Sequence, residues 1–327
     1  MTTPRLRPLT LGVLLGGWAC GGGGAKPAAA PAPAAAPPAA GAVAPARLPL
    51  RAARIRGTEL RFVEKGAGIP VVFVHGSLGT LESWQPQLDA FATRFRVIAY
   101  SRRYHWPNAA QPDAQDYSLS LHADDLIALI EALGLERVHL VGSSYGAYVA
   151  LLATLRRPDL VRSLVLAEPP IVPWLARTPA GDSLRRTFDA TVLGAARAAF
   201  ARGDSVAAVQ RFWEGMAGGQ PASRFDALPE AARGRLLRLA PELRLETRAE
   251  PADYTPALDC KAVGGIRNPV LLVGGEKSPR MFHIIAEELA RCLPTAESVT
   301  VPGAGHTVNA DNPAYYNGVV LPFLLRH

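Results

Sequence analysis

A serine flanked by two glycines is the feature of this sequence best suited to chemistry. Residues 142–146 read Gly-Ser-Ser-Tyr-Gly, and they follow the apolar run Val138–Val141 and precede a helical pattern. The two glycines permit a sharp turn that exposes the Ser144 hydroxyl at the end of the strand, and the N-terminus of the next helix favours negative charge there. The motif alone is common in glycine-rich chains, so its specificity depends on this context. We therefore predict that Ser144 is a nucleophile.

A histidine near the C-terminus could serve as the general base for this serine. His306 follows a turn that contains proline and glycine, at the sheet edge where Ser144 is expected. A loop at that position can direct the imidazole toward the hydroxyl and accept its proton. His75 is also expected near this edge, but it lies inside a turn, and we interpret it as a structural residue of that turn. The other histidines are interpreted as surface or packing residues: His105, His122, His139, His283 and His327.

Acyl transfer also requires hydrogen-bond donors for the negative oxygen of the transition state. Residues 74–79 read Val-His-Gly-Ser-Leu-Gly and end an apolar strand in a turn at the same edge of the predicted sheet. This turn can supply one donor, the backbone N–H group of Ser77 or, as the alternative, that of Leu78. The N–H group of Tyr145, next to the nucleophile, can supply the other. We expect these donors to form an oxyanion hole.

Strand and helix patterns alternate along the chain from Leu50 onward. Short apolar runs predict strands buried on both faces, and the helical patterns between them predict helices that cover a mostly parallel sheet. The apolar runs are Val71–Val74, Val97–Ala99, Val138–Val141, Leu164–Leu166 and Val270–Val273, and Ser298–Val301 is a weaker last strand. Ala53–Arg56 and Leu60–Glu64 alternate around Gly57-Thr58, which predicts a hairpin. The predicted helices are Leu81–Thr93, Leu119–Leu133, Tyr145–Arg156, Met281–Cys292 and Pro313–Leu325. From Val172 to Asp259 only helical patterns occur, which predicts a helical subdomain over the C-terminal edge of the sheet.

In the order of its turns this chain resembles the α/β-hydrolase family. The turn at His75-Gly76, the turn around Ser144 and the sequence Gly303-Ala304-Gly305-His306 carry the resemblance, which extends from about Leu50 to the C-terminus. It implies a doubly wound, mostly parallel sheet of eight strands, with a helical cap of about residues 172–259 inserted between strands 6 and 7. It also implies that His306 is the general base. A serine nucleophile argues against haloalkane dehalogenase and epoxide hydrolase activity, because similar enzymes of those types use Asp.

The acidic partner of the histidine departs from the commonest pattern of this family. Many members carry Asp on the loop after strand 7, where this chain has Ser278. A serine has no charge with which to stabilise an imidazolium. In a subset of the family the acid follows strand 6, and there the sequence Leu-Ala-Glu-Pro-Pro places Glu168 at the active-site edge. We assign the acid to Glu168, with Glu276 as the alternative; the alternative role for Glu168 is a salt bridge that anchors the cap.

The loop after the fourth strand also departs from the family, which commonly has Asp-x-Arg-Gly there. This chain has the bulky sequence Tyr-Ser-Arg-Arg-Tyr-His-Trp at residues 100–106, which predicts a narrower entrance to the site. Trp106 and Trp174 are therefore candidate walls of the substrate pocket, although tryptophan is more often a packing residue.

These residues predict a serine hydrolase that cleaves an ester, thioester or lactone bond of a small apolar substrate through an acyl-enzyme on Ser144. The mechanism needs no metal ion and no organic cofactor. Two alternatives use the same side chains: cofactor-free perhydrolysis of the haloperoxidase type and hydrolysis of a carbon–carbon bond. A non-enzymatic binding protein on this scaffold is disfavoured, because Ser144 and His306 are both present.

The first 49 residues predict export and tethering. Arg5 and Arg7 precede a short apolar stretch that ends in Ala19-Cys20, a pattern typical of an export signal and too short to span a bilayer. Residues 1–20 resemble a bacterial lipoprotein signal, which implies lipidation of Cys20 and attachment to a membrane of the cell envelope; a periplasmic or secreted protein is the alternative. Residues 21–49 are mainly Ala and Pro and predict an extended tether before a hydrolase domain at 50–327.

Charge and cysteine content limit the partners of this chain. The formal net charge is +7, but the arginines are scattered and form no basic stripe of the kind that nucleic-acid-binding proteins show. We expect a small-molecule substrate, no nucleic acid, and contact with a membrane only through the lipid anchor; the sequence predicts no oligomeric state. In an exported protein Cys260 and Cys292 could form a disulfide or remain buried thiols, and the sequence leaves both open.

Overall fold

The structure is a computed structural model that describes residues 48–218 and 224–327. The predicted signal at 1–20, its Cys20 and nearly all of the predicted tether at 21–49 lie outside the described residues.

Eight strands form one sheet with the order β1-β2-β4-β3-β5-β6-β7-β8. Strands β1 and β2 form an antiparallel hairpin, and β2 runs antiparallel to β4. The six strands numbered β3 to β8 are parallel to one another. The strands are β1 (Arg51–Ile55), β2 (Thr58–Lys65), β3 (Pro70–Val74), β4 (Arg96–Tyr100), β5 (Val138–Ser143), β6 (Val161–Ala167), β7 (Val270–Gly275) and β8 (Glu297–Val301). The predicted fold class is confirmed: a doubly wound, mostly parallel eight-stranded sheet.

Helices cover both faces of this sheet. Successive side chains of a strand point to opposite faces, and accordingly Val72 and Val74 of β3 pack in one hydrophobic core while Val71 and Phe73 pack in the other. One face is covered by α1 (Gln85–Ala92), α12 (Val308–Asp311) and α13 (Pro313–Arg326). The other is covered by α2 (Leu119–Ala132), α3 (Tyr145–Arg156) and α11 (Arg280–Cys292). The parallel strands therefore end together at one edge, where the loops that follow them meet.

A helical insertion separates β6 from β7, as the predicted cap requires. It starts with a 3₁₀ turn at Val172–Arg177, includes a π-helical turn at Asp189–Leu193 and a 3₁₀ turn at Phe225–Ala227, and its described residues contain no strand. Its helices are α4 (Pro179–Phe188), α5 (Gly194–Ala201), α6 (Ser205–Met216), α7 (Glu230–Arg238), α8 (Ala240–Arg248), α9 (Pro251–Tyr254) and α10 (Cys260–Val263). The helical insertion extends a few residues beyond the predicted end at 259.

A disulfide between Cys260 and Cys292 joins α10 to the C-terminal end of α11, with the two Cα atoms 5.3 Å apart. The bond resolves the alternative that the sequence left open, and it fastens the end of the helical insertion to a helix that covers the sheet. Among the residues that the structure describes, no helix has both the length and the apolar character needed to cross a bilayer.

Candidate active site

Ser144 lies in the turn between β5 and α3, with its backbone at a φ of +53°. Both flanking glycines are required by close backbone contacts: a Cβ atom on Gly142 would lie 2.4 Å from the Cα of Ala147, and one on Gly146 would lie 2.1 Å from the carbonyl oxygen of Val74. The turn therefore needs glycine for space. Ser144 is 9% exposed, so the serine lies in a largely buried site.

The imidazole of His306 lies between Ser144 and Glu168. Its Nε2 atom is 2.9 Å from Ser144 Oγ and its Nδ1 atom is 2.6 Å from Glu168 Oε2. The ring of Phe282 stacks on the imidazole with the ring centroids 4.0 Å apart. Three residues that follow β5, β6 and β8 thus form one continuous chain of contacts. In this arrangement the carboxylate can accept a hydrogen bond from the Nδ1–H group, which leaves Nε2 unprotonated and able to accept the serine proton.

The loop that carries His306 is held by a carboxylate that the sequence analysis missed. The Gly305 N–H group donates to Asp311 Oδ2, and the Thr307 hydroxyl donates to Asp311 Oδ1. Asp311 therefore bonds both neighbours of His306 and limits the rotation of the loop. The spacing of these residues carries no family signal, and only their contacts reveal the role.

Glu168 is buried and has a backbone φ of +50°. Its Oε1 atom accepts the Gly275 N–H group at 2.6 Å while Oε2 contacts His306. Positive φ is unfavourable for a residue with a Cβ and tends to occur at functional sites. Five non-glycine residues of the described chain have positive φ, and Ser144 and Glu168 are two of them. The carboxylate is thus oriented by β7 as well as by the histidine.

The alternative acid lies elsewhere in the same loop cluster. Glu276 is exposed, and its Oε2 atom accepts the N–H group of Gly303 at 2.7 Å. It therefore supports the turn after β8. Ser278, which replaces the commonest acid of the family, is buried, and within the described residues its Oγ atom has no hydrogen-bond partner.

The turn after β3 packs directly against the serine. A Cβ atom on Gly76 would lie 2.9 Å from Ser144 Cβ, so only glycine permits this approach. Within the described residues, the N–H groups of Ser77, Leu78 and Tyr145 make no backbone hydrogen bond. Unpaired N–H groups beside a serine are suitable donors for an oxyanion.

His75 has the surroundings of a structural residue. Its Nε2 atom accepts the backbone N–H group of Arg102 at 2.9 Å, so Nδ1 carries the proton and donates to Gly76 O at 2.8 Å. Complete burial, and secondarily the Arg102 charge, lower the pKa of His75 well below its ordinary value, and the imidazole stays neutral. Burial lowers the pKa values of His105 and His122 in the same way.

The two tryptophans proposed as pocket walls differ. Trp106 lines a cavity of about 230 Å³ between the loops at the sheet edge and α7. Trp174 is instead a core residue: it is 2% exposed, and its indole N–H group donates to Leu258 O at 2.7 Å. Arg177 covers its ring at 4.3 Å. The indole of Trp174 is therefore enclosed by the helical insertion itself.

The described residues contain no group of three His, Cys, Asp or Glu side chains arranged to hold a metal ion.

Comparison with known proteins shows the family to which this chain belongs. A sequence model of the alpha/beta hydrolase fold matches residues 69–313. The 2-(acetamidomethylene)succinate hydrolase of Mesorhizobium japonicum is 30% identical over 254 residues, which cover 76% of this chain and 86% of that protein. A bromoperoxidase from Bacillus anthracis has a similar structure, with a TM-score of 0.68, 23% identity, and coverage of 84% of this chain and 99% of that one. A carboxylesterase from Bacillus subtilis has a TM-score of 0.64, 21% identity, and coverage of 86% and 93%. At these identities, the two structural similarities show a common fold.

Proposed function

Because this chain belongs to the α/β-hydrolase family, we propose that it is a serine hydrolase that cleaves an ester, thioester or lactone bond of a small apolar substrate. The observation that supports this most is the chain of contacts from Ser144 Oγ through His306 to Glu168. A nucleophile, its base and an oriented carboxylate in hydrogen-bond reach form the arrangement that activates a serine for acyl transfer.

In the proposed reaction Ser144 Oγ attacks the carbonyl carbon while His306 Nε2 accepts the hydroxyl proton. The backbone N–H groups of Ser77 and Tyr145 stabilise the oxyanion of the tetrahedral intermediate. Glu168 stabilises the imidazolium, which then protonates the leaving group as the carbonyl–leaving-group bond breaks. Water attacks the acyl-enzyme with His306 again accepting a proton, and the acid is released as Ser144 is restored.

The cavity beside Trp106 supports an apolar substrate. Its apolar wall includes Leu78, Trp106, Leu228, Leu236 and Leu239, and Ala232 of α7 also lines it. Leu78 follows Gly76, the glycine that packs against Ser144, by two residues. Glu82, Arg235 and Arg238 also line the cavity, so charged side chains lie beside its apolar wall. The apolar wall is suited to the acyl chain of an ester.

Filling this cavity gives a test of the proposed function. With p-nitrophenyl esters of increasing acyl length, we expect the wild type to hydrolyse the series. Ala232→Trp should raise KM for the longer esters about tenfold, because the indole occupies space that methylene groups otherwise fill. The hydrolysis of p-nitrophenyl acetate, the shortest ester of the series, should be nearly unchanged. Ala231→Trp, one residue away and exposed, is the matched control.

Two results would count against the proposal. If Ala232→Trp and Ala231→Trp change KM equally across the ester series, the cavity is not the site that binds the acyl chain. Peroxide-dependent halogenation without hydrolysis of any ester would instead support the haloperoxidase-type alternative, which uses the same three side chains.

We also propose that the enzyme works outside the cytoplasm, attached to a membrane through Cys20. The signal-like residues 1–20 support this location, and so does the Cys260–Cys292 disulfide, because such bonds persist mainly in oxidising compartments. Expression of the full chain in bacteria, followed by fractionation, should place the wild type in the membrane fraction and Cys20→Ala outside it. Recovery of both proteins in the same fraction would refute the lipid anchor.

A further inference from the structure

A completely buried arginine lies behind the turn that carries the first proposed oxyanion donor. The Nε atom of Arg102 donates to His75 O at 3.1 Å, and Nη2 donates to Gly76 O at 3.2 Å. The backbone N–H group of Arg102 also donates to the imidazole of His75. The side chain of Arg102 is 0% exposed, so these contacts are not shared with bulk water.

These contacts determine where the Ser77 N–H group points. The carbonyl of Gly76 and the N–H group of Ser77 belong to one peptide unit, which is planar and trans, so the two bonds point in opposite directions. Gly76 O is held by both Arg102 and the Nδ1 proton of His75, the latter at 2.8 Å. Fixing the carbonyl therefore fixes the donor on the other side. Two donors on one carbonyl also polarise the peptide and strengthen its N–H group as a donor.

The helical insertion holds Arg102 in this place. Glu246 of α8 accepts from Arg102 Nη2 at 3.2 Å and from the Tyr117 hydroxyl at 2.7 Å, both on Oε1. Arg102 Nη1 donates to the Tyr117 oxygen at 3.0 Å. The carboxylate of Glu246 is as deeply buried as the guanidinium. A buried charge is tolerated only with its partner and hydrogen bonds in place, so this triad permits few orientations of Arg102.

Arg102 also contacts the residue of the second proposed donor. Its guanidinium lies 4.9 Å from the ring centre of Tyr145, and the Tyr145 hydroxyl donates to Tyr254 O in the helical insertion at 3.0 Å. One side chain thus contacts the turn after β3, the start of α3 and the insertion.

We propose that Arg102 is a positioning residue that orients the oxyanion donors from behind, and that Glu246 holds it through the helical insertion. This inference rests on the proposed hydrolase function. Arg102 touches neither Ser144 nor His306 in the described contacts, so its action runs through the Gly76 peptide and the ring of Tyr145.

Arg102→Lys tests the proposal, because lysine keeps the positive charge but loses the planar set of donors that reaches two carbonyls and Tyr117 together. We expect kcat to fall about 10- to 100-fold with little change in KM, less than or comparable to the loss of a whole oxyanion donor. The affinity for a trifluoromethyl ketone, which forms a tetrahedral oxyanion on the serine, should fall by the same factor as kcat/KM. The pH dependence of kcat should keep its shape, since the His306–Glu168 contact is not altered.

Arg103→Lys is the matched control. Arg103 is the next residue, it is largely buried, and it binds Asp125 through two hydrogen bonds of 2.5 and 2.7 Å without contacting the turn at Gly76. A general loss of stability should affect both variants, whereas kcat and inhibitor affinity should fall only in Arg102→Lys. If Arg102→Lys does not fold, two milder variants test the same contacts. Tyr117→Phe removes the hydroxyl that bonds both Arg102 and Glu246, and Glu246→Gln removes the negative charge; each should lower both kcat and the inhibitor affinity.

The inference is overturned if a folded Arg102→Lys, or both milder variants, keep kcat and inhibitor affinity within twofold of the Arg103→Lys values. Failure of the hydrolase function itself is recognised separately, since the wild type would then neither hydrolyse esters nor react with a fluorophosphonate.

Discussion

Ser144→Ala is expected to lower kcat for ester hydrolysis by roughly 10⁴- to 10⁶-fold, the loss that follows when the nucleophile of a serine hydrolase is removed. The hydroxyl of Ser144 lies 2.9 Å from His306 Nε2, and alanine leaves this base without a proton to accept. Labelling by a fluorophosphonate, measured as the mass of the intact protein, should disappear as well. The residual rate should reflect substrate binding and the oxyanion donors alone.

Ser143→Ala is the matched control, because Ser143 is the adjacent hydroxyl at the end of β5. It should keep both the label and a rate close to that of the wild type. The melting temperature of Ser144→Ala should also change little, since alanine carries the same Cβ at the same positive φ. A labelled Ser144→Ala protein, or an unlabelled Ser143→Ala protein, would show that another residue is the nucleophile.

Glu168→Gln is expected to lower kcat by at least ~10²-fold, with KM nearly unchanged. Glutamine keeps the size of the side chain but removes the charge that lies 2.6 Å from His306 Nδ1 and stabilises the imidazolium. Its amide can also donate to Nδ1, which favours the tautomer in which Nε2 carries the proton and cannot accept another from Ser144. Both effects lower the rate of the chemical step and leave substrate binding nearly unchanged.

The same substitution at Glu276 provides the comparison. Glu276→Gln should keep kcat within about twofold, because its carboxylate bonds only the exposed turn at Gly303 among the described contacts and any glutamine oxygen can accept that N–H group. Steady-state kinetics of the two purified variants, with thermal melting to confirm folding, gives the answer. A large loss in Glu276→Gln together with an active Glu168→Gln would reassign the acid.

Local patterns along the chain predict most of the architecture. The apolar runs and helical patterns correspond to the strands and helices of the structure because burial and chain geometry impose a periodicity that neighbouring residues display. The turn at Ser144 is equally local: Gly142 and Gly146 are needed for backbone contacts within a short segment and with the end of β3. The family resemblance adds the assignment of His306 as the base, because the turns of this chain occur in the family's order and His306 lies on the loop after the last strand.

The acid illustrates the limit of such reasoning. Glu168 and Glu276 both follow strands that end at the same edge, and β6 and β7 are neighbours in the sheet. Sequence reasoning therefore favours Glu168 but keeps Glu276 as an alternative. The structure separates them by side-chain direction: the backbone at Glu168 turns to positive φ and aims the carboxylate at His306, whereas Glu276 points to the exposed turn at Gly303.

The sequence by itself thus determined which turns carry the two central side chains. The serine lies in a strand–helix turn, the histidine follows the last strand, and the sheet brings both to one edge. Tertiary structure alone decided the Cys260–Cys292 bond, the packing of Trp174 and the Arg102–Glu246 pair, whose members are 144 residues apart. The physical reason is the separation along the chain over which each interaction acts. Periodicity and turn chemistry act between near neighbours, but a buried contact depends on how whole elements pack, and many sequences with the same local pattern could pack those side chains differently.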